Sequence, residues 1–363
     1  MPAELAERLV AIDSVNPTLS STGGGEEAVA GVLAEWLERA GLEVHVEDAA
    51  PGRPNVVGVA RGTGGGRALL LNGHLDTVGL LAPDGGLSPR VEDGRLFGRG
   101  AYDMKGSLSA IAAAAVECAS LHLRGDVIVS AVADEEAASI GTEKLLERWR
   151  ADAAIVAEPT DERLCIAHRG WVAFDIETHG RAAHGSRPDL GVDAIARMGR
   201  VLVAVEALDR SLQVRSGHPL LGTGSVHAST IEGGQEYSSY PARCLLRGER
   251  RTIPGERRED VEAELRGLLG DSGGSIAFPF GRDPMEISPN EEIVRAVQAQ
   301  TGLPEVYGAP FWTDAALLAD AGIPAVLFGP RGEGAHAAVE WVELASVERC
   351  RDIYVAVAAE FCR

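Results

Sequence analysis

The sequence predicts an α/β fold, in which a mixed, largely parallel sheet covered by helices is interrupted by an inserted ferredoxin-like βαββαβ domain. Three observations predict it. Short apolar runs alternate with helically spaced apolar residues over the first 170 positions, the pattern of a sheet covered on both faces. The rhythm changes to strand, helix, strand, strand, helix, strand between 171 and 282. Acidic and imidazole side chains collect just past the apolar runs, where open α/β sheets bind ligands.

Residues 26–40 carry Val29, Val32, Leu33, Trp36 and Leu37 at helical spacing, and Gly41 follows as a C-terminal stop. Strand-like runs come next at 42–46, 56–60 and 68–72, with Gly64-Gly65-Gly66 as a turn before the third. After a Pro- and Gly-bearing loop, 107–119 reads as an Ala-rich helix, slim enough to lie close against a sheet. Runs at 126–133 and 153–156 supply further buried strands. The middle segment reads as strand 171–178, helix 192–208, strands 224–232 and 242–252, helix 256–269 and strand 275–280. Strand and helix alternation resumes after about Arg282, with a last apolar run at 325–328. The expected division is a metal-binding catalytic domain in two parts, 1–170 and 283–363, around an insertion at 171–282.

Composition narrows the function. A formal net charge of −20 disfavours nucleic acid, because phosphate binding needs a basic surface that releases counterions. No apolar run reaches the length of about 18 residues that a membrane helix requires. Met1-Pro2-Ala3-Glu4-Leu5-Ala6-Glu7-Arg8 lacks the basic-then-apolar plan of a signal peptide, so a cytoplasmic protein is expected. Five scattered cysteines without a C-x-x-C argue against a disulfide framework and against a thiolate zinc site.

The chemistry lies at the run ends. In Gly73-His74-Leu75-Asp76, residues two apart share a side of an extended chain, so Asp76 can accept the free ring N–H of a metal-bound His74. Taken alone, the same residues also describe a polar turn. Asp103, in Gly98-Arg99-Gly100-Ala101-Tyr102-Asp103-Met104-Lys105-Gly106, can bridge two cations or simply face a helix dipole. Asp134-Glu135-Glu136 places three acids in succession after an apolar strand, which is costly without a compensating cation or water. One of the two glutamates can bind metal while its neighbour serves as general base. Glu158 and His336 follow two more runs. Jointly, His74, Asp103, Glu136, Glu158 and His336 make a five-ligand set of carboxylate and imidazole without thiolate, suited to zinc, manganese or cobalt. Two such ions sharing a bridge polarise a carbonyl and acidify water.

Together, GHLDTV at 73–78, GRGAYDMKG at 98–106, DEE at 134–136, AEPT at 157–160, GRAAHGSRPDLGVDAI at 180–195, RTIPGE at 251–256, TDA at 313–315 and Gly334-Ala335-His336 resemble the M20 zinc peptidases and deacylases. The resemblance covers nearly the whole chain. It implies two zinc ions, replaceable by cobalt or manganese, bridged by Asp103, with His74 and Glu158 on one and Glu136 and His336 on the other. It makes Glu135 the base and proton shuttle, Asp76 the orienting partner of His74, and the Asp103-Met104 peptide cis. It implies that the inserted domain acts in dimerisation and as a lid, that His184 steadies the oxyanion in the partner subunit of a homodimer, and that Arg251 grips a substrate carboxylate.

Three departures bear on the substrate. Ser238-Ser239-Tyr240-Pro241 replaces an N-x-x-P segment, Trp312 stands where relatives place Gly, and Ala337-Ala338-Val339-Glu340 replaces a more polar stretch. The expected activity is hydrolysis of an N-acyl amino acid, as in acetylornithine deacetylase, by metal-activated water with Glu135 as base. A dipeptidase or carboxypeptidase acting on short peptides is the alternative within the family, and a non-catalytic amino-acid-binding protein the alternative outside enzymes.

Overall fold

The computed structural model describes residues 1–80 and 86–363, so residues 81–85 of the Pro- and Gly-bearing loop lie outside the described residues. The chain forms two compact units, Met1–Ile166 with Ile287–Tyr307 and Thr313–Arg363, and Ala167–Glu286 with Gly308–Trp312.

The first unit is built on a mixed sheet. Strand Glu43–Ala50 pairs antiparallel with Arg53–Ala60, which pairs antiparallel with Val127–Val132. Leu69–His74 then runs parallel to both Val127–Val132 and Ala153–Val156, and Ala325–Leu327 runs parallel to the latter. These four parallel strands are buried along their whole length, which is why, Asn72, His74 and Ser130 apart, their sequences are apolar runs without alternation. Each fully buried leucine among them, such as Leu69 or Leu71, contributes about 1.5–3 kcal/mol of burial free energy.

Register decides the rest. His74 lies opposite Val132 and Asn72 opposite Val156, so the three strands end within two residues of one another and their exits open on one edge. Helix Gly106–Ala119 packs on these strands and on the C-terminal helix Leu344–Phe361. Its Ala110, Ala112, Ala114 and Ala115 are wholly buried, the close approach that its small side chains predict. Helix Glu27–Arg39 packs on the two antiparallel strands, and Gly41 follows it with φ of 88°, a conformation suited to glycine. A second sheet, not anticipated from sequence, joins Gly332–Glu333, Trp341–Glu343, Arg95–Phe97 and Arg90–Glu92 in that order. It holds the segments around Asp103 and His336 side by side.

The second unit is a sheet in the order Ser225–Gly233, Arg243–Thr252, Gly170–His179, Gly274–Ala277, with Gly281–Arg282 also beside Gly170–His179. All pairings are antiparallel. With helices Ala194–Gln213 and Arg258–Gly267 intercalated, the chain order is the βαββαβ unit expected. Gly170–His179 alternates buried and half-buried residues, and its Val172, Phe174 and Ile176 meet Met198, Val201 and Leu265 in one core. The five cysteines are buried and form no disulfide. Among the described residues no helix is long and apolar enough to cross a membrane.

Candidate metal centre

Each candidate ligand of the first unit is delivered by a strand exit or by unusual backbone. His74 is the last residue of its strand, and Glu158 lies two residues past another. Asp103 sits in the short segment Ala101–Lys105 before helix Gly106–Ala119, with φ and ψ of −119° and 91°, and the Asp103–Met104 peptide is cis. His336 has a φ of 61°, two residues after Gly334 at 90°. A Cβ on Gly334 would lie 1.9 Å from the Val339 carbonyl oxygen, so only glycine fits that approach.

These residues converge. His74, Asp103 and Glu158 form one cluster, and Asp103, Glu136 and His336 another, with the donor atoms of each within 4.8 Å of one another. Asp103 belongs to both. Its Oδ1 lies 3.2 Å from His74 Nε2 and its Oδ2 3.4 Å from His336 Nε2, while Glu136 Oε2 is 3.0 Å from the same His336 nitrogen. Glu135 Oε2 stands 4.0 Å from His74 Nε2, outside both triads.

The electrostatics call for positive charge. Burial, with repulsion from neighbouring carboxylates, raises the pKa of Glu135 and Glu158 well above the usual range and raises that of Glu136. Burial also works upward on Asp103, but hydrogen bonds from His336 and His74 outweigh it and hold that carboxyl low. Asp103 and Glu136 push His336 up to about 10. Glu136 Oε1 is buried without a hydrogen-bond partner, an acceptor that a cation would satisfy. Three carboxylates and two imidazoles, with no thiolate, are the donor set of a hydrolytic zinc, manganese or cobalt site.

His74 Nδ1 is nearer the Asp76 backbone carbonyl, at 2.9 Å, than its carboxylate, at 3.5 Å. The carboxylate also accepts the backbone N–H groups of Glu135 and Glu136 at 3.1 and 3.2 Å. Glu340, given no role from sequence, does the same for the Asp103 segment. Its Oε1 accepts from Tyr102 N and Asp103 N, both at 2.9 Å, and its Oε2 from Gly100 N at 3.0 Å and Arg99 at 2.5 Å. Asp314, buried and pushed up to about 6 chiefly by burial, accepts from Thr142 Oγ1 at 2.7 Å.

His184 and Arg251 belong to the second unit. His184 is exposed, with Nδ1 2.8 Å from Ser186 Oγ, and forms an isolated bridge with Ser239. Arg251 is half-buried between Trp171 and Ser225 on neighbouring strands, and its Nε donates to Glu249 at 2.7 Å. Trp312 donates from Nε1 to the Asp283 carbonyl at 3.1 Å and meets the His168 ring edge-on. Burial holds that histidine down to about 4.

Comparison with known proteins places this geometry in context. The model of peptidase family M20/M25/M40 matches residues 70–360. An acetylornithine deacetylase from Myxococcus xanthus is 31% identical over 90% of this chain and 90% of its own. A Bacillus subtilis N-formyl-4-amino-5-aminomethyl-2-methylpyrimidine deformylase is 28% identical over 99% of this chain and 94% of its own. Among solved structures, an aminopeptidase from Bacillus cereus superposes with a TM-score of 0.81 at 18% identity, covering 100% of this chain and 98% of its own.

Proposed function

Because the chain belongs to peptidase family M20/M25/M40, a family of metal-dependent hydrolases of amide bonds, we propose that it removes a small acyl group from the nitrogen of an amino acid. One observation carries the reading. Asp103 is shared by two ligand triads while Glu135 stands beside them, largely buried and uncommitted to either. A binding protein has no need of a base there.

His74, Asp103 and Glu158 would hold one zinc ion, and Asp103, Glu136 and His336 the other. When bound, the pair supplies Lewis-acid polarisation of the substrate carbonyl and acidification of water. Glu135 takes the proton of the attacking water on its carboxylate and returns it to the leaving amine. Burial favours the protonated form of Glu135, which suits a group that must hold the proton between the two halves of that shuttle. Arg251 presents a planar fork for the substrate carboxylate, once released from Glu249. The deacetylase and the deformylase among the relatives both act, by name, on small acyl groups, which favours acetyl or formyl here.

The decisive assay offers N-acetyl and N-formyl amino acids and dipeptides to protein loaded with zinc, cobalt or manganese. Chelator-sensitive release of acetate or formate is expected. Faster release of two amino acids from a dipeptide would make the protein a peptidase, and ligand binding without hydrolysis would remove it from the enzymes.

The same reading makes the protein a cytoplasmic homodimer in which His184 of the partner subunit steadies the oxyanion. Five cysteines without a disulfide accord with a reducing compartment. Strand Ser225–Gly233 ends its sheet, and Ile231 on it is exposed, as are Ile195 and Val203 on helix Ala194–Gln213. An open edge with apolar neighbours suits pairing with a second copy. Sedimentation should report a dimer, and a fully active monomer would overturn this assignment.

A further inference from the structure

Glu135 and Glu136 are consecutive yet must do different things, so the backbone that carries them has to be aimed. Asp134 turns the chain with a φ of 68°, in the left-handed region that aspartate enters more readily than most residues. Behind that turn lies a closed buried network. The Nδ2 group of Asn16 donates one N–H to Asp76 Oδ2 at 2.7 Å and the other to Asp134 Oδ1 at 2.9 Å. The Thr18 N–H on Asn16 Oδ1, at 2.9 Å, fixes which way this amide faces. Arg53 forks onto Glu26 through Nε and a terminal nitrogen, both at 2.6 Å, and the same terminal nitrogen reaches Asp134 Oδ1 at 2.9 Å. Glu26 closes the ring by accepting the Asp134 N–H at 3.2 Å. Asn16, Glu26, Arg53, Asp76 and Asp134 are all buried.

This arrangement sets three carboxylates against one guanidinium, a costly way to staple an N-terminal segment to a sheet when apolar side chains would serve. Its geometry instead fixes both ends of one short path. Asp134 is gripped at its amide and its carboxylate, and Asp76, gripped by Asn16, takes the next two amides. We propose that Asn16 and Arg53, with Glu26, are positioning residues that lock the Asp134 turn and thereby hold Glu136 toward a cation and Glu135 toward the water. The inference rests on the proposed function for the role of Glu135, but not for the aim of Glu136.

Asn16→Ala and Arg53→Lys test it. Zinc affinity is measured by chelator competition, kcat and KM on whichever N-acyl amino acid the wild-type protein hydrolyses, and the thermal midpoint alongside. Both variants should bind zinc at least tenfold more weakly and lose about 10–100-fold in kcat per zinc-loaded molecule, with KM within threefold, the size of loss that residues supporting a metal ligand produce. Zinc affinity or kcat within twofold of wild type overturns the proposal, whatever the thermal midpoint does, because a mere staple would lower only the latter. Should Asn16→Ala fail to fold, Arg53→Lys, which keeps the charge and loses the fork, decides alone. If the wild-type protein hydrolyses nothing in the panel, the proposed function falls, and zinc affinity by itself decides the positioning role.

Discussion

Replacing Glu135 with glutamine is expected to lower kcat by about 10²–10⁴-fold, the usual worth of a general base, while two zinc ions stay bound. The side chain reaches within 4.0 Å of His74 Nε2 but completes neither triad, so its loss removes a proton acceptor and no metal ligand. Glutamine keeps the volume, and the backbone N–H on Asp76 is untouched. KM should therefore change little, the signature of an interaction made on the way to the transition state. The pH profile gives a second readout. Burial first, and then the charge of Glu158, raise the pKa of Glu135, and a base must be unprotonated to act. The rate of the wild-type protein should fall as pH drops through the pKa that Glu135 has in the zinc-loaded protein, and the residual rate of the glutamine variant should lack this limb. Near-normal hydrolysis by Glu135→Gln, or loss of zinc in step with loss of rate, would remove Glu135 from the role.

What was legible in the sequence follows a physical division. Buried parallel strands advertise themselves as apolar runs, and near-level register turns their ends into a site, so His74, Glu136 and Glu158 could be gathered from hydropathy and residue type alone. The helix around Val29 and Leu33 was readable because one face is buried. Helix Leu344–Phe361 has the same logic, with Val347, Cys350, Tyr354, Val357 and Phe361 buried at helical spacing, and its periodicity could have been read. The supports were not legible. Asn16 and Arg53 meet Asp134 across 118 and 81 residues, and Glu340 meets Asp103 across 237. A carboxylate that gathers backbone N–H groups leaves no period and no composition signal, and Ala337-Ala338-Val339-Glu340 reads as an ordinary loop. The Asp76 carboxylate shows the same blind spot. Spacing pointed it at a histidine ring, which it meets at 3.5 Å, whereas its shorter bonds go to Asn16 and to the backbone amides of the turn that follows another strand.

Glu340→Ala should be the most destabilising single change at the site. The Glu340 carboxylate is buried and is the shared acceptor for the Arg99 guanidinium and for the backbone N–H groups of Gly100, Tyr102 and Asp103. Arg99 is itself buried and would keep only the Ala337 carbonyl, at 2.7 Å. Breaking a buried ion pair from one side costs about 3–5 kcal/mol, because the remaining charge stays out of water without its partner. In a unit of this size that corresponds to a fall in thermal midpoint of roughly 10 °C. The damage should also reach the metal, since the freed segment carries Asp103, the residue common to both triads. Zinc should therefore bind more weakly at both positions, unlike in Glu135→Gln. Glu340→Gln separates charge from shape. Its single carbonyl oxygen can serve the donors on one side only, and its NH₂ group faces the others, so its midpoint should lie between those of the alanine variant and the wild-type protein. A thermal midpoint within about 2 °C of wild type in Glu340→Ala, a change worth no more than about 1 kcal/mol, would mean that the loop carrying Asp103 is held by something else.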